Sequence, residues 1–181
     1  MTESNKERII LLVLHNGTRV EGVLIKIDKE NLKMILEKGN MWDVFHETDV
    51  FMITTNPIRR TDGAVVMGRG IALEAKTRFP NLPYDFGREL ELLHPEIDQE
   101  FVGKIGNYEG TDIYFFMVKH HWRDMAQLDI IASSCFYLKN GFVWGDKRID
   151  LNFPGIGNGR LNRDSVLYLL EDLPDNVHIW E

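Results

Sequence analysis

Beyond residue 50 the chain alternates segments of strand character with segments whose apolar residues recur at helical spacing. Predicted strands cover residues 50–54, 101–108, 113–118, 149–153 and 177–180, and predicted helices cover about 71–78, 84–93, 124–139 and 163–173. Strands that alternate with helices form a sheet covered by helices, so this order predicts a layered α/β domain. With 181 residues, 44% of them hydrophobic, the chain is long enough to bury the core of such a domain.

The first fifty residues follow a different pattern, which favours antiparallel strands. Residues 9–14 and 19–27 flank Asn16-Gly17, a pair that suits the positive dihedral angles of a tight hairpin turn. A third predicted strand covers residues 32–36, and the strand at residues 50–54 is the fourth of this antiparallel segment. This antiparallel start predicts a mixed sheet, with residues 1–31 as an N-terminal β-hairpin extension and residues 32–181 as the main domain.

Two glycine-bearing loops stand at predicted helix starts. Gly68, Arg69 and Gly70 lead into an amphipathic segment, and a second loop, Pro154-Gly155-Ile156-Gly157-Asn158-Gly159, lies between a predicted strand and a predicted helix. The first turn of a helix leaves backbone N–H groups without partners and carries the positive end of the helix dipole. Because glycines let an anion approach these groups, each loop is typical of a phosphate site.

Polar residues follow the carboxyl ends of the predicted strands, which is where open α/β sheets bind ligands. Thr55-Asn56 follows one strand, Lys119-His120-His121-Trp122-Arg123 follows another, and the second glycine loop follows a third. These residues predict one cleft with two phosphate-type loops, an amide, a lysine and several ring side chains. A diphosphate that carries sugars suits this combination.

Several common sites are disfavoured by the same sequence. No P-loop is present, and Leu73 stands where the dinucleotide fingerprint needs its third glycine or alanine. No Gly-x-Ser-x-Gly elbow occurs, and the adjacent His120 and His121 lack the spacing of a helix-borne metal site. We therefore expect neither a metal nor a cofactor. Cys135, the single cysteine, excludes an internal disulfide.

Charge and hydropathy limit the partners. The 28 acidic and 21 basic residues give a net charge of -7, which disfavours a general binder of the nucleic-acid backbone. The sequence shows neither a secretory signal nor an apolar run of membrane-spanning length. We expect a cytoplasmic protein without a membrane partner.

The order and spacing of these motifs resemble the macrodomains, a family that binds ADP-ribose. The resemblance covers about residues 32–180 and rests on Lys38-Gly39-Asn40, Thr55-Asn56, residues 66–73, Phe79-Pro80, residues 119–123 and the second glycine loop. Within the family the chain is most similar to the branch of bacterial antitoxins that remove ADP-ribose from DNA, with related phage and animal hydrolases. The resemblance implies a three-layer α/β/α sandwich with ADP-ribose in a cleft at the strand ends.

The resemblance also implies roles for the matching residues. Asn40 would contact the adenine, Asn56 would organise the distal ribose, and Lys119 would attack or position the anomeric carbon, so Lys119 and Asn56 are the expected catalytic pair. The diphosphate would lie between the glycine loops, whose expected ligand-binding residues are Gly68, Arg69, Gly70, Ile71, Pro154, Gly155, Ile156, Gly157, Asn158, Gly159 and Arg160.

The second loop departs from the family pattern and leaves several activities open. Related hydrolases usually carry a longer loop, some with a catalytic acid, whereas Arg160-Leu161 follows Gly159 here. We expect hydrolysis of an ADP-ribosyl–acceptor bond, or removal of phosphate from ADP-ribose 1''-phosphate with Arg160 on the terminal phosphate. The expected partner is therefore ADP-ribose or an ADP-ribosylated substrate, and nucleic acid enters only as an ADP-ribosylated acceptor.

Two further alternatives stay open. One is a non-catalytic reader of ADP-ribose. The other, a distant one, is an RNA-associated module, because residues 13–28 loosely resemble the opening strands of an Sm-like barrel.

Overall fold

The computed structural model describes residues 12–13, 19–20, 34–92, 101–140 and 144–181. The chain divides into two units, residues 1–31 and 32–181. In the first unit, β1 (Leu12–Val13) and β2 (Arg19–Val20) pair antiparallel. The remainder of the predicted hairpin and most of the Sm-like segment lie outside the described residues, as do residues 32 and 33 of the predicted third strand.

The second unit contains a six-stranded sheet. Its strands are β3 (Ile35–Glu37), β4 (Val50–Thr55), β5 (Val102–Tyr108), β6 (Thr111–Met117), β7 (Ile149–Asn152) and β8 (Val177–Trp180). They lie in the order β3-β8-β7-β4-β6-β5, and of these neighbouring pairs β5 and β6 alone run antiparallel. The carboxyl ends of the five parallel strands, β3, β4, β6, β7 and β8, therefore lie at one edge of the sheet.

The sheet is mixed, as predicted, but for a different reason. The predicted antiparallel start is wrong for β3, which runs parallel to β8 with Ile35 opposite His178, and for β4, which runs parallel to β6 and β7. The antiparallel pair is instead the hairpin of β5 and β6, joined by Glu109 and Gly110 with φ of 52° and 93°. Positive φ at both central residues characterises the two-residue turn that matches the twist of paired strands. So short a connection leaves no room for a crossover, and β5 must run opposite to β6.

Within the described residues, four α-helices cover the sheet on its two faces: α1 (Gly70–Arg78), α2 (Leu82–Leu92), α3 (Leu128–Asn140) and α4 (Arg163–Leu170). Successive side chains of β4 point to opposite faces. Phe51 and Ile53 join the core beneath α1 and α2, whereas Val50 and Met52 join the core beneath α3 and α4. The three-layer α/β/α sandwich is therefore confirmed.

Each predicted helix is present, but the first residue of the third helix differs from the prediction. The predicted start of the third helix at Asp124 is wrong, because α3 begins at Leu128. The N–H groups of Ala126 and Gln127 donate to Gly159 and Val118 at 3.0 and 2.9 Å, so tertiary contacts hold this segment outside a helical turn. A short 3₁₀ helix, Met41–Val44, was not predicted.

The cap of the last helix was predicted correctly. Asn162 Oδ1 accepts from the N–H groups of Asp164 and Ser165 at 2.9 and 3.2 Å, which satisfies two donors of the first turn. α4 then ends at Leu170, three residues before the predicted end. In the part of the chain that the structure describes, no helix has both the length and the apolar character to cross a membrane.

We expect Gly87→Ala in α2 to destabilise the fold by about 1–3 kcal/mol, the usual cost of overpacking. A Cβ atom at Gly87 would lie 1.9 Å from the Gly63 carbonyl oxygen. Because this oxygen belongs to the backbone, it cannot turn aside as the end of a side chain could. Urea denaturation measures the effect. Gly68→Ala is the control, because a Cβ there meets no described atom within 4 Å and should not destabilise the protein. Equal loss in both variants would contradict this account.

Candidate functional site

A cavity of about 310 Å³ opens at the carboxyl edge of the sheet, where β4, β6 and β7 end. Four segments line it: the end of β4, the loop into α1, the loop after β6 and the loop after β7. Of the predicted site residues, the cavity brings together Asn56, Gly68, Arg69, Gly70, Ile71, Lys119, Gly155, Ile156, Asn158, Gly159 and Arg160. Residues more than one hundred positions apart in the chain therefore share one site.

Backbone pairing between β4 and β7 stops before their carboxyl ends, beside the cavity. Their backbone register ends with Met52 opposite Leu151. Beyond that point the side chain of Asn152 takes over the pairing: Oδ1 accepts from the Thr54 N–H at 3.1 Å, and Nδ2 donates to Thr54 Oγ1 at 2.9 Å. Sequence reasoning missed Asn152, although a polar residue that ends a buried strand was the available signal.

The start of α1 faces the cavity without a side-chain cap. Arg69 is the N-cap residue, no described side chain bonds there, and the first turn contains no acidic residue. The N–H groups of Gly70, Ile71 and Ala72 therefore lack intrahelical partners at the cavity wall. These donors and the helix dipole favour an anion.

The two glycine loops approach each other closely at Gly70. This residue has a φ of 55°, and an added Cβ would lie 3.4 Å from Asn158 Nδ2 of the second loop. The positive φ favours glycine here, whereas an added Cβ would only contact the end of the Asn158 side chain. The two glycine loops therefore form facing walls of the cavity.

Asn56 lies buried at the end of β4 and already uses its amide within the protein. Nδ2 donates to the Val66 carbonyl at 2.9 Å, and Oδ1 accepts from the Ile58 N–H at 3.0 Å. These bonds close the loop that leads to the first glycine segment. One N–H and one lone pair of the amide remain for a ligand.

Lys119 follows β6 and lies half-buried in the cavity wall. Its Nζ donates to the Asp124 carbonyl at 2.8 Å. Burial lowers the pKa of Lys119, the Asp124 carboxylate opposes this shift, and the positive charges of Arg69 and Arg160 lower the pKa further. A lowered pKa increases the fraction of neutral amine, which is the form that acts as a nucleophile.

Positive charge is concentrated in this cavity. Among the described lining residues, the basic side chains are Arg69, Lys119, Arg123 and Arg160, and the acidic one is Asp124. The chain as a whole carries a net charge of -7. A local excess of basic groups in an acidic protein favours a discrete anionic ligand.

The residues after Lys119 divide between the cavity and its surroundings. Trp122 and Arg123 line the cavity, and the Arg123 guanidinium lies 4.7 Å from the centre of the Trp122 ring. His121 stacks against Trp122 and accepts a hydrogen bond from the Arg123 N–H through Nδ1, at 3.2 Å. His120 and His121 are not among the lining residues. The contacts of His121 therefore hold Trp122 and Arg123 in place and do not face the cavity.

Three predicted ligand-binding residues, Asn40, Pro154 and Gly157, do not line the cavity formed by the described residues. Asn40 caps the 3₁₀ helix, with Oδ1 accepting from the Trp42 N–H at 3.2 Å. Their ligand contacts stay predictions. Within the described ranges, no group of three His, Cys, Asp or Glu side chains is placed to hold a metal ion.

Solved structures share this architecture. The macrodomain of Thermus aquaticus DarG is 24% identical, with a TM-score of 0.62 over 81% of this chain and 95% of that one. The macrodomain of Mycobacterium tuberculosis DarG is 23% identical, with a TM-score of 0.54 over 81% and 97%. Thermosipho africanus DarTG, solved in complex with ADP-ribose, is 21% identical, with a TM-score of 0.61 over 83% and 43%.

These comparisons define the fold. The chain has the macrodomain fold, which confirms the architecture that the sequence motifs implied. It spans less than half of the Thermosipho africanus protein. No protein-family model and no curated protein sequence matches the chain.

We expect Arg160→Gln and Arg69→Gln each to raise the pKa of Lys119, because each removes a positive charge that disfavours the ammonium form. Titration of the Lys119 ε-carbon resonance by NMR measures this shift. Arg88→Gln on α2 removes an arginine that pairs with Asp85 and does not line the cavity, so it is the matched control. An unchanged or lower pKa in the two cavity variants would refute the electrostatic account.

Proposed function

We propose that this protein binds ADP-ribose in the cavity and hydrolyses the bond between its anomeric carbon and an acceptor. The observation that carries the proposal is the meeting of two glycine loops, an uncapped helix start and three arginine side chains in one cavity, beside Lys119. A diphosphate suits this arrangement because its two negative charges match the backbone N–H groups and the cationic wall. The ADP-ribose in the Thermosipho africanus structure supports the same ligand class.

The catalytic part of the proposal rests on Lys119 and Asn56. The neutral amine of Lys119 either attacks the anomeric carbon or positions it for attack by water, and its lowered pKa makes the neutral form more available. In the first case the bond from this carbon to the acceptor breaks, the acceptor leaves with its electron pair and takes up a proton, and water then cleaves the new carbon–nitrogen bond to release ADP-ribose. The remaining N–H and lone pair of Asn56 orient the distal ribose. Fixing a sugar between the amide and the amine provides the orientation that hydrolysis requires.

A second candidate activity is removal of phosphate from ADP-ribose 1''-phosphate. Arg160 favours it, since this residue lines the cavity at the end of the second glycine loop and adds a cation to the cavity wall. An arginine would stabilise the charge of a terminal phosphate. A panel of ADP-ribosylated DNA, ADP-ribosylated protein and ADP-ribose 1''-phosphate separates these activities from a non-catalytic reader.

We expect Gly70→Glu to reduce ADP-ribose affinity by about tenfold or more, equivalent to about 1.4 kcal/mol. The carboxylate would enter the path between the loops, near Asn158, and repel the diphosphate. Isothermal titration calorimetry measures the affinity. Gly70→Ala carries the same backbone strain without the charge and should lose less. Absence of ADP-ribose binding to the parent protein at millimolar concentration would refute the proposed function.

We expect Lys119→Ala to lower turnover of the cleaved substrate by about 10²–10⁴-fold while ADP-ribose binding changes little. The reason is that the amine acts at the anomeric carbon, whereas the glycine loops hold the diphosphate. Product release is followed by chromatography. Lys147→Ala, an exposed lysine away from the cavity lining, is the control and should retain full turnover. Equal rates in Lys119→Ala and the parent would exclude this catalytic role.

A further inference from the structure

The loop after β6 fixes Lys119 through its own backbone. Lys119 Nζ donates to the Asp124 carbonyl at 2.8 Å, and the Asp124 N–H donates to the His121 carbonyl at 3.1 Å. The Gln127 N–H donates to the Val118 carbonyl at 2.9 Å and closes the loop at its base. The position of the amine therefore depends on the position of residues 119–127, which we call the lysine loop.

The second glycine loop is held by a similar set of internal bonds. The N–H groups of Gly159, Arg160 and Leu161 donate to the carbonyls of Ile156, Gly157 and Gly155 at 3.1, 3.1 and 3.0 Å. Residues 155, 156, 158 and 159 line the cavity. These bonds connect Gly159 to the other residues of the loop that line the cavity.

The two loops meet at Ala126 and Gly159. The Ala126 N–H donates to the Gly159 carbonyl at 3.0 Å, and Ala126 is 4% exposed. A Cβ atom at Gly159 would lie 2.8 Å from the Ala126 Cβ, closer than side-chain atoms pack. Gly159 lies outside the left-handed region of φ, so glycine is needed here for proximity rather than for backbone conformation.

We propose that the Ala126–Gly159 contact positions Lys119 for reaction, so that a diphosphate bound on the glycine loop aligns the amine through the lysine loop. The connection is short and continuous: Gly159 holds Ala126, and Asp124, two residues away, holds Nζ of Lys119. Ala126 and Gly159 are thus positioning residues that act through Lys119. This inference rests on the proposed function and adds to it a link between ligand binding and catalysis.

A role in packing alone predicts a different outcome. Loss of packing lowers stability, but the folded fraction would keep its turnover number. Loss of positioning lowers kcat in protein that is fully folded and saturated with substrate, because a displacement of about 1 Å at a reacting group costs up to about a hundredfold in rate. Measuring kcat and KM separately for each folded variant, beside its stability, distinguishes a positioning role from a role in packing.

The test is a compensating pair of substitutions. Gly159→Ala introduces the clash, Ala126→Gly removes the methyl group with which the new Cβ collides, and the double variant combines them. We expect Gly159→Ala to lower kcat by about ten- to a hundredfold, with a smaller change in ADP-ribose affinity. The double variant should recover to the level of Ala126→Gly. If Gly159→Ala does not fold, Ala126→Ser crowds the same contact from the other side and should act in the same direction.

A second readout does not depend on turnover. In the parent and the double variant, ADP-ribose should shift the Lys119 ε-carbon resonance in NMR spectra, and in Gly159→Ala this shift should be reduced. Unchanged kcat and an unchanged shift in folded Gly159→Ala, with normal ADP-ribose affinity, would overturn the positioning role and leave the proposed function intact. Absence of ADP-ribose binding to the parent would overturn both.

Discussion

The burial of β4 on both faces is the constraint on which the remaining architecture depends. Val50, Phe51, Met52 and Ile53 are each completely shielded from solvent, because the sheet is covered by helices on both faces. The strand also has parallel neighbours on both edges, β6 and β7. Its carboxyl end is consequently surrounded by the ends of two further strands. At this end Asn152 replaces the backbone ladder with side-chain hydrogen bonds to Thr54, and both residues line the cavity.

The electrostatics of the cavity follow from this arrangement. Strand ends, loops and the uncapped start of α1 bring N–H groups and cationic side chains to one place, while the acidic residues that set the net charge lie mostly elsewhere. Burial and neighbouring cations act together to lower the pKa of Lys119, so the groups suited to an anion also increase the fraction of neutral amine. Binding and catalysis at this site would share the same positive field.

Prediction from sequence succeeded where local chemistry decides the outcome. Asn162 caps α4 as expected, since the cap depends on the residues that immediately follow it. The start of α3 was misplaced because bonds to Gly159 and Val118, distant in the chain, hold residues 126 and 127. Direction was also misjudged for β3, since strand direction depends on the partner, and β8 lies at the other end of the sequence. Asn152 and Asp124 were missed as cavity residues because their roles come from contacts with residues elsewhere, Thr54 and Lys119, which no local sequence pattern reveals.

The sequence by itself determined the layered α/β class, the two glycine loops and the strand-end positions of Asn56 and Lys119. Periodicity, glycine conformational freedom and helix-end chemistry operate over a few residues and can be read directly from the chain. Tertiary structure alone decided that Gly70 faces Asn158, that the amide of Asn56 is partly used by Val66 and Ile58, and that Ala126 touches Gly159. Such contacts join residues that only the closed sheet brings together, because packing geometry in three dimensions sets them and local sequence pattern does not.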